Sequence, residues 1–366
     1  MAWTERYVTT SGTSGHGGTN DSSDAWDFIT GIQHVGAGIR LNVKAGTYTV
    51  NNGGAAFTTL NTQTSASPAW IRGYTNTIGD LTYSRDANGD LVTTGMPVIN
   101  MAAQDRISLN GDGNIIEGLK IVGSRSNEMI LFNGNYGYAY NCYAENQYNA
   151  GFSVSSAFAS YGWQVHIIGC DVKKTGTDVA TCIALQQNNA VIGCKLYGGV
   201  GSCIATRTSC TVIDCIMRDS LVGIDMQSVN NAYPSNIINC TFYNCSTAAI
   251  QVPNSANATG VVHTIVNCHA TDCGYFLKNL YTGAVCPNAL IRNRTRDNTN
   301  ANNNTGDWPL QNPMTTDNGT YTSDYIDAAT NKNFTLKPTA VGRAIGLVPY
   351  RDIGATQAPS SSNSVF

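Results

Sequence analysis

Cysteine is the residue type through which this sequence most openly offers chemistry. Twelve are present, and NIINCTFYNC (residues 236–245) sets two of them in a segment that otherwise alternates like a β-strand. Three C-x4-C pairs, Cys210/Cys215, Cys240/Cys245 and Cys268/Cys273, bring zinc to mind. The pairs are out of phase, however, because Cys215 aligns with Cys240 and not with Cys245. Structural zinc usually takes shorter C-x2-4-C hooks converging from two places. Aligned on the cysteine that follows a short apolar pair, Cys142, Cys170, Cys194, Cys215, Cys240 and Cys268 recur at separations of 28, 24, 21, 25 and 28 residues. A series of this kind points to packing: cysteine is small, apolar enough to bury, and fits a narrow core. Buried thiols are poor nucleophiles, since apolar surroundings raise their pKa. Disulfides between neighbouring coils are geometrically conceivable, but a chain made in a reducing compartment is expected to keep its thiols.

Charged and aromatic residues supply the other candidate chemistry. A β-eliminating polysaccharide lyase needs a Lys or Arg base and neutralisation of a uronate carboxylate, commonly by calcium held on Asp and Glu. A glycosidase needs two carboxylates flanking one bond. The chain has four glutamates, Glu5, Glu117, Glu128 and Glu145, and only Glu117 and Glu145 fall near the mapped strands. One residue after the ladder cysteines stand Tyr143, Asp171, Lys195, Ile216, Thr241 and His269; three after stand Glu145, Lys173, Tyr197, Arg218, Tyr243 and Thr271. Asp171, Lys173, Lys195 and Arg218, with Tyr197 and Tyr243, make a patch that could grip an acidic glycan, the rings stacking on sugars. A second outward series, Ala184, Ala205, Asp225 and Gln251 with Gln186, Arg207 and Gln227, could meet sugar hydroxyls. The plainer reading of both is a solvated sheet face with cross-coil ion pairs. His166, His263 and His269 lie in different coils with no nucleophile motif beside them. Asp86, Asn88 and Asp90 have the spacing of a calcium loop, but its twelfth position is Pro97 and not Glu, so a turn is expected. No metal or cofactor is expected, calcium being the alternative for a lyase.

Composition limits the classes. Charged residues are 12% of 366, the net charge is −3, and no basic stripe offers a nucleic-acid footprint. No run approaches the roughly 18 apolar residues of a membrane span. The start, MAWTERYVTTSGTSGHGG, lacks the basic and apolar regions of a secretory signal.

These residues need elements to position them. Short strand-like segments precede the cysteines: Ile130-Leu131-Phe132, Phe152-Ser153-Val154, Ile183-Ala184-Leu185, Ile204-Ala205-Thr206, Ile224-Asp225-Met226 and Ile250-Gln251-Val252. Units of 20 to 30 residues with strands, Gly/Asn turns and no amphipathic helix predict a solenoid of stacked β-coils. Equivalent side chains then form ladders about 4.8 Å apart, with the cysteines inward and Ile192, Ile213 and Ile238 on neighbouring inward positions. Ser22-Ser23-Asp24 is expected to cap a helix bearing Ala25, Phe28, Ile29 and Ile32, which would cover the first coil. Residues 74–96 read as an excursion from the coils. The expected divisions are an N-terminal lead-in and cap (1–50), first coils with the excursion (51–104), regular coils (105–297), and an Asn-rich connection with a C-terminal cap and tail (298–366). The cap is placed at 334–357, and the tail from Ala358 to Phe366 is expected to gain order only on a neighbour.

YVTTSGTSGHGG, GIRLNVKAGTYTV and PAWIRGY resemble the lead-in of right-handed parallel β-helices of the pectate-lyase-like kind, and NFTLKPTAVGRAIGL with RDIGATQ is similar to their closing segment. The resemblance covers most of residues 5–357 and implies an all-β, single-stranded right-handed parallel β-helix. GDLTYSRDANGDLVTTGMPVI and the ending PYRDIGATQ resemble β-helical virion proteins of tailed phages. That resemblance implies a non-enzymatic capsid decoration, spike or fibre component, assembled in the host cytoplasm. Its expected partners are two further copies in a homotrimer, other virion proteins of the capsid or tail, and host-surface glycan, with neither nucleic acid nor membrane. The alternative is a lyase or glycoside hydrolase acting on an acidic glycan.

Overall fold

A computed structural model describes residues 2–101, 106–123, 128–146, 158–175, 181–226, 234–252, 263–280, 288–291, 293–296, 315–317, 325–327 and 333–336. The chain gathers into two compact units, Met1–Asp86 with Asp90–Ala205, and Ala87–Gly89 with Thr206–Phe366.

In the first unit the chain winds through three stacks of parallel strands. The first stack runs Thr4–Val8, Ile39–Lys44, Ala69–Tyr74, Asn114–Glu117, Tyr138–Tyr140, His166–Ile168 and Ala190–Ile192. The second runs Thr47–Val50, Val98–Met101, Lys120–Gly123, Tyr143–Asn146, Asp171–Lys174 and Lys195–Tyr197. The third begins Ala56–Thr58, Arg106–Leu109, Ile130–Phe132, Phe158–Trp163 and Ile183–Gln187. Phe158 registers with Ile130, so this coil uses Phe158–Trp163; the expected Phe152-Ser153-Val154 lies outside the described residues.

The second unit repeats the plan. Thr211–Ile213, Asn236–Ile238, His263–Val266 and Asn288–Ile291 stack in parallel. Ile216–Met226 and Thr241–Val252 each run through two stacks without a break, paired along their length with one irregularity near Ser220 and Val222. His269–Thr271, Arg294–Arg296 and Thr315–Asp317 extend the pairing. Near the C-terminus Tyr325–Asp327 pairs antiparallel with Asn333–Leu336. The rest of the expected C-terminal cap and all of the tail lie outside the described residues.

A single left-handed residue turns the chain from the first stack to the second. Asn141, Gly169, Gly193, Asp214, Asn239 and Asn267 have φ between 49° and 65°, and each immediately precedes a ladder cysteine. Gly, Asn and Asp take this conformation at least cost. The corner residue interrupts the strand alternation, so the inward positions are the cysteine and the residue three before it. Ala139, Ile167, Val191, Val212, Ile237 and Ile265 are therefore buried, as are all six cysteines. Ile192, Ile213 and Ile238, expected inward, instead face outward and are half-buried. Each ladder thiol donates across its corner to the carbonyl two residues back, at 3.2 to 3.5 Å. The column thus combines apolar packing with a satisfied weak donor. The eleven described cysteines are all free and buried, and burial pushes the thiols of Cys170, Cys182 and Cys240 well up. Among the described residues no group of three or more His, Cys, Asp and Glu converges as a metal site.

The N-terminal helix is shorter than expected, Phe28–Gln33, and its cap is Asp27, whose carboxylate accepts from Thr30 N at 2.8 Å. Ser22 and Ser23 turn onto Asn20, and Asp24 accepts from Gly17 and Thr19, so none of the three caps a helix. Phe28 stacks near Tyr48, with centroids 5.8 Å apart. A Cβ at Gly31 would lie 2.4 Å from Val8 Cγ2, so glycine lets the helix seat on the first strand. Among the described residues no helix is long and apolar enough to cross a membrane.

Candidate functional site

The predicted patch is only partly assembled as an open surface. Asp171 and Lys195 register as neighbours on the second stack, as do Lys173 and Tyr197. All four point away from the cysteine column, yet Asp171 and Lys195 are each only 1% exposed. The cause is the excursion between Tyr74 and Val98. It returns across the outer face of this stack as a strap, its turn closed by Asp86 N to Asp90 O and by Asp90 N to the Asp86 carboxylate, both 2.9 Å. The turn expected at Asp86–Asp90 is thus present.

Three strap residues hold the patch. Arg85 donates to Asp171 Oδ1 at 2.8 Å and to the carbonyls of Gly169 and Gly193 at 3.0 and 3.1 Å. Leu91 N donates to Asp171 Oδ2 at 2.6 Å. The Asp90 carboxylate receives both the Lys195 ammonium and the Tyr197 hydroxyl. Burial raises the Asp171 carboxyl to about 6, even with the Arg85 guanidinium and the Leu91 N–H pulling it down. Earlier along the strap, Tyr83 bonds to Glu117, and burial first, then that carboxylate, raise its hydroxyl pKa. Lys173 is the exposed member, 3.6 Å from Glu145, which also accepts from Tyr143 at 2.9 Å.

Ala184, Gln186 and Ala205 lie in the first unit, and Arg207, Arg218, Asp225, Gln227, Tyr243 and Gln251 in the second. Arg218 and Tyr243 register side by side and are buried, and Arg218 pairs with Asp219 at 2.9 Å. Asp225 accepts from Gln251 at 3.2 Å. Arg207 is exposed, and Gln227 lies outside the described residues. A neutral His263 is fixed by accepting from Ser235 N at 3.1 Å, and burial lowers its pKa to about 4.

Sequence reasoning nominated the stack residues but missed their partners, Arg85, Asp90 and Leu91. The signal was there in YSRDANGDL, where one arginine and two aspartates stand in a segment already set apart from the coils. Calcium does not fit this cluster: a guanidinium and an N–H occupy the two oxygens of Asp171, and Asp90 holds an ammonium and a phenol. Metal-assisted chemistry is therefore not assigned to these residues.

No protein-family model and no curated protein sequence matches the chain. Among solved structures, the pectate lyase Pel9A superposes with a TM-score of 0.64 at 14% identity, over 98% of this chain and 97% of that one. A rhamnogalacturonan lyase superposes with a TM-score of 0.55 at 13% identity, over 94% and 97%. The fold is that of the pectate-lyase-like β-helices. A Geobacillus virus E2 protein, ORF18, gives a TM-score of 0.35 at 12% identity, over 84% of this chain and 62% of that one. On this β-helix, the strap runs from the first-stack strand Ala69–Tyr74 to the second-stack strand Val98–Met101. Fold alone leaves the activity open, because one solenoid serves many functions.

Proposed function

We propose that this β-helix is a non-enzymatic virion protein, a capsid decoration, spike or fibre component built as a homotrimer. The observation that carries the non-enzymatic part is the strap. Lys195 holds Asp90, and Asp171 is sealed beneath Arg85 and Leu91, so the charged groups expected to grip an acidic glycan serve to anchor the chain to itself. A general base must reach the proton it abstracts, and an ammonium buried against a carboxylate of its own chain is poorly placed for that. The virion part rests on the resemblance of that same excursion, GDLTYSRDANGDLVTTGMPVI, and of PYRDIGATQ to phage β-helical proteins.

Two measurements test the reading. Incubation with pectate, alginate and rhamnogalacturonan, with calcium added, should give neither ultraviolet-absorbing unsaturated ends nor new reducing ends. Lyase turnover abolished by Lys195→Ala would overturn the non-enzymatic reading. Purified particles carrying the chain, with cross-linking that captures a trimer, are the expected result for the assembly reading; a monomer absent from particles would overturn it.

A further inference from the structure

Two aromatic side chains stand in solvent at one corner of the first unit: Trp163 is 56% exposed and Tyr136 42% exposed. They are joined through the backbone, Tyr136 N donating to Trp163 O at 2.9 Å. Tyr136 also has φ of 57°, in the left-handed region. The same corner is left-handed in the next two coils as well, at Gln164, φ 57°, and Asn188, φ 52°, of which only asparagine is the residue type expected there. A bulky side chain in this conformation is an outlier, and Tyr136 is left 42% exposed. Strain without a packing reward is a pointer to function.

The surroundings are rigid and continue the aromatic surface. Gly111, Gly134 and Gly162 stack so closely that a Cβ at Gly134 would meet Gly111 O at 1.8 Å, and one at Gly162 would meet Gly134 O at 1.8 Å. Two residues along the strand, Tyr138 and Tyr140 lie parallel within 3°, centroids 5.6 Å apart, and Tyr138 meets His166 at 5.1 Å. Five rings thus fall on two adjacent coils. Asn135 links them, its side chain accepting from Trp163 N at 2.9 Å, and Gln164 is exposed beside Trp163. Segments 133–140 and 162–168 carry no lysine or arginine.

We infer that this corner is a binding platform for a glycan of neutral sugars. Ring faces suit the C–H faces of pyranoses, tyrosine and tryptophan present an apolar body with a polar tip, and side-chain amides suit hydroxyls. A polyanion would require cations that these segments lack. The platform rests on the non-enzymatic reading only in that it holds its ligand without cleaving it.

The test uses the full chain with cellohexaose and mannohexaose as neutral probes and hexagalacturonate as the acidic one. A neutral hexaose should shift tryptophan emission saturably to the blue and protect it from acrylamide quenching. Trp163→Ala and Tyr136→Asn should each weaken binding at least about tenfold, and Tyr136→Asn should do so while raising Tm, which separates lost binding from lost folding. The inference is overturned if neither neutral hexaose binds, if both variants bind as the parent does, or if hexagalacturonate binds more tightly. It is also overturned if Trp163 becomes shielded in sugar-free buffer by self-association seen in sedimentation, since a second copy would then be the occupant. Chromatography of the recovered hexaose separates the two readings: shortened sugar would refute the non-enzymatic one and leave the platform standing.

Discussion

Asp171 and Lys195 are charged and almost fully buried, whereas Tyr136 and Trp163 carry large rings and stand in solvent. Both pairs sit on the outside of the same β-helical unit, and each reverses the usual sorting of polar and apolar groups. The strap explains the first reversal. It brings Arg85 and Asp90 to the stack, so Asp171 and Lys195 each have an opposite charge in contact. No inserted segment among the described residues covers the second pair, and the platform proposed above is the account given for it. Outward register is thus not exposure: on a solenoid the inserted segments decide which face stays open.

Removal of Arg85 should have the largest effect. Arg85→Ala leaves Asp171 buried without its cation, and loss of one partner of a buried pair costs about 3–5 kcal/mol. Urea unfolding at pH 8 should show it, and Arg85→Ala/Asp171→Leu should recover most of the loss. An effect under about 1 kcal/mol would mean that the strap is an ordinary surface loop.

The same carboxyl gives a pH dependence. Folded Asp171 titrates near 6 against an ordinary 3.8, so across that window the folded state holds more protons than the unfolded one. Its contribution therefore becomes more favourable as pH falls from about 6 towards 4 and is lost as pH rises through 6. His263 acts oppositely: with a folded value of about 4 against 6.5, it destabilises as pH falls through that range. Comparing the parent with Asp171→Asn isolates the first effect, and the stability difference should move in the parent's favour on acidification. A constant difference from pH 7 to pH 4 would show that Asp171 is not desolvated.

Corners provide the next contrast. Asn239 obeys the left-handed preference and Tyr136 defies it. Asn239→Ala should cost about 1–2 kcal/mol, with Asn239→Gly costing less. Tyr136→Asn should instead stabilise by about 0.5–1 kcal/mol in thermal or urea unfolding, and a loss there would show that the ring packs. Smallest of all, Trp163→Ala should change stability by no more than about 0.5 kcal/mol, as for an exposed side chain.

Much of this architecture was legible from residue order. The cysteine column declared the coil repeat, because a buried position shared by successive coils must keep a similar size. The residue before each cysteine, Asn, Gly or Asp in all six cases, also announced the corner. Reading the two together would have placed Val191, Val212 and Ile237 inward in place of Ile192, Ile213 and Ile238, since a left-handed residue interrupts the alternation of two. The helix was misplaced by a few residues because Ser22, Ser23, Asp24 and Asp27 are all competent caps, and the packing of Phe28 and Gly31 on the first coil chose among them. The strap's destination could not be read in advance: Arg85 and Asp171 are 86 residues apart, and no local pattern encodes which coil an insertion crosses. The aromatic corner was visible as NYGYAYNCY, but strand residues rich in tyrosine usually signal packing, and the exposure of Tyr136 and Trp163 is what sets it apart.

In the second unit the Asn267 amide donates to Asn239 at 2.8 Å, and the Asn239 amide donates to Asp214 at 2.6 Å. Each rung is completed by the following coil, so a partly assembled unit always ends in an amide or carboxylate with nothing to hold. Growth by docking one turn at a time is then favoured over collapse of distant parts. Once closed, the row resists opening anywhere but at its ends, because an internal break exposes two rungs together. Resistance to denaturation in this unit should accordingly be a matter of rate, with persistence under harsh conditions exceeding what its equilibrium free energy alone would suggest.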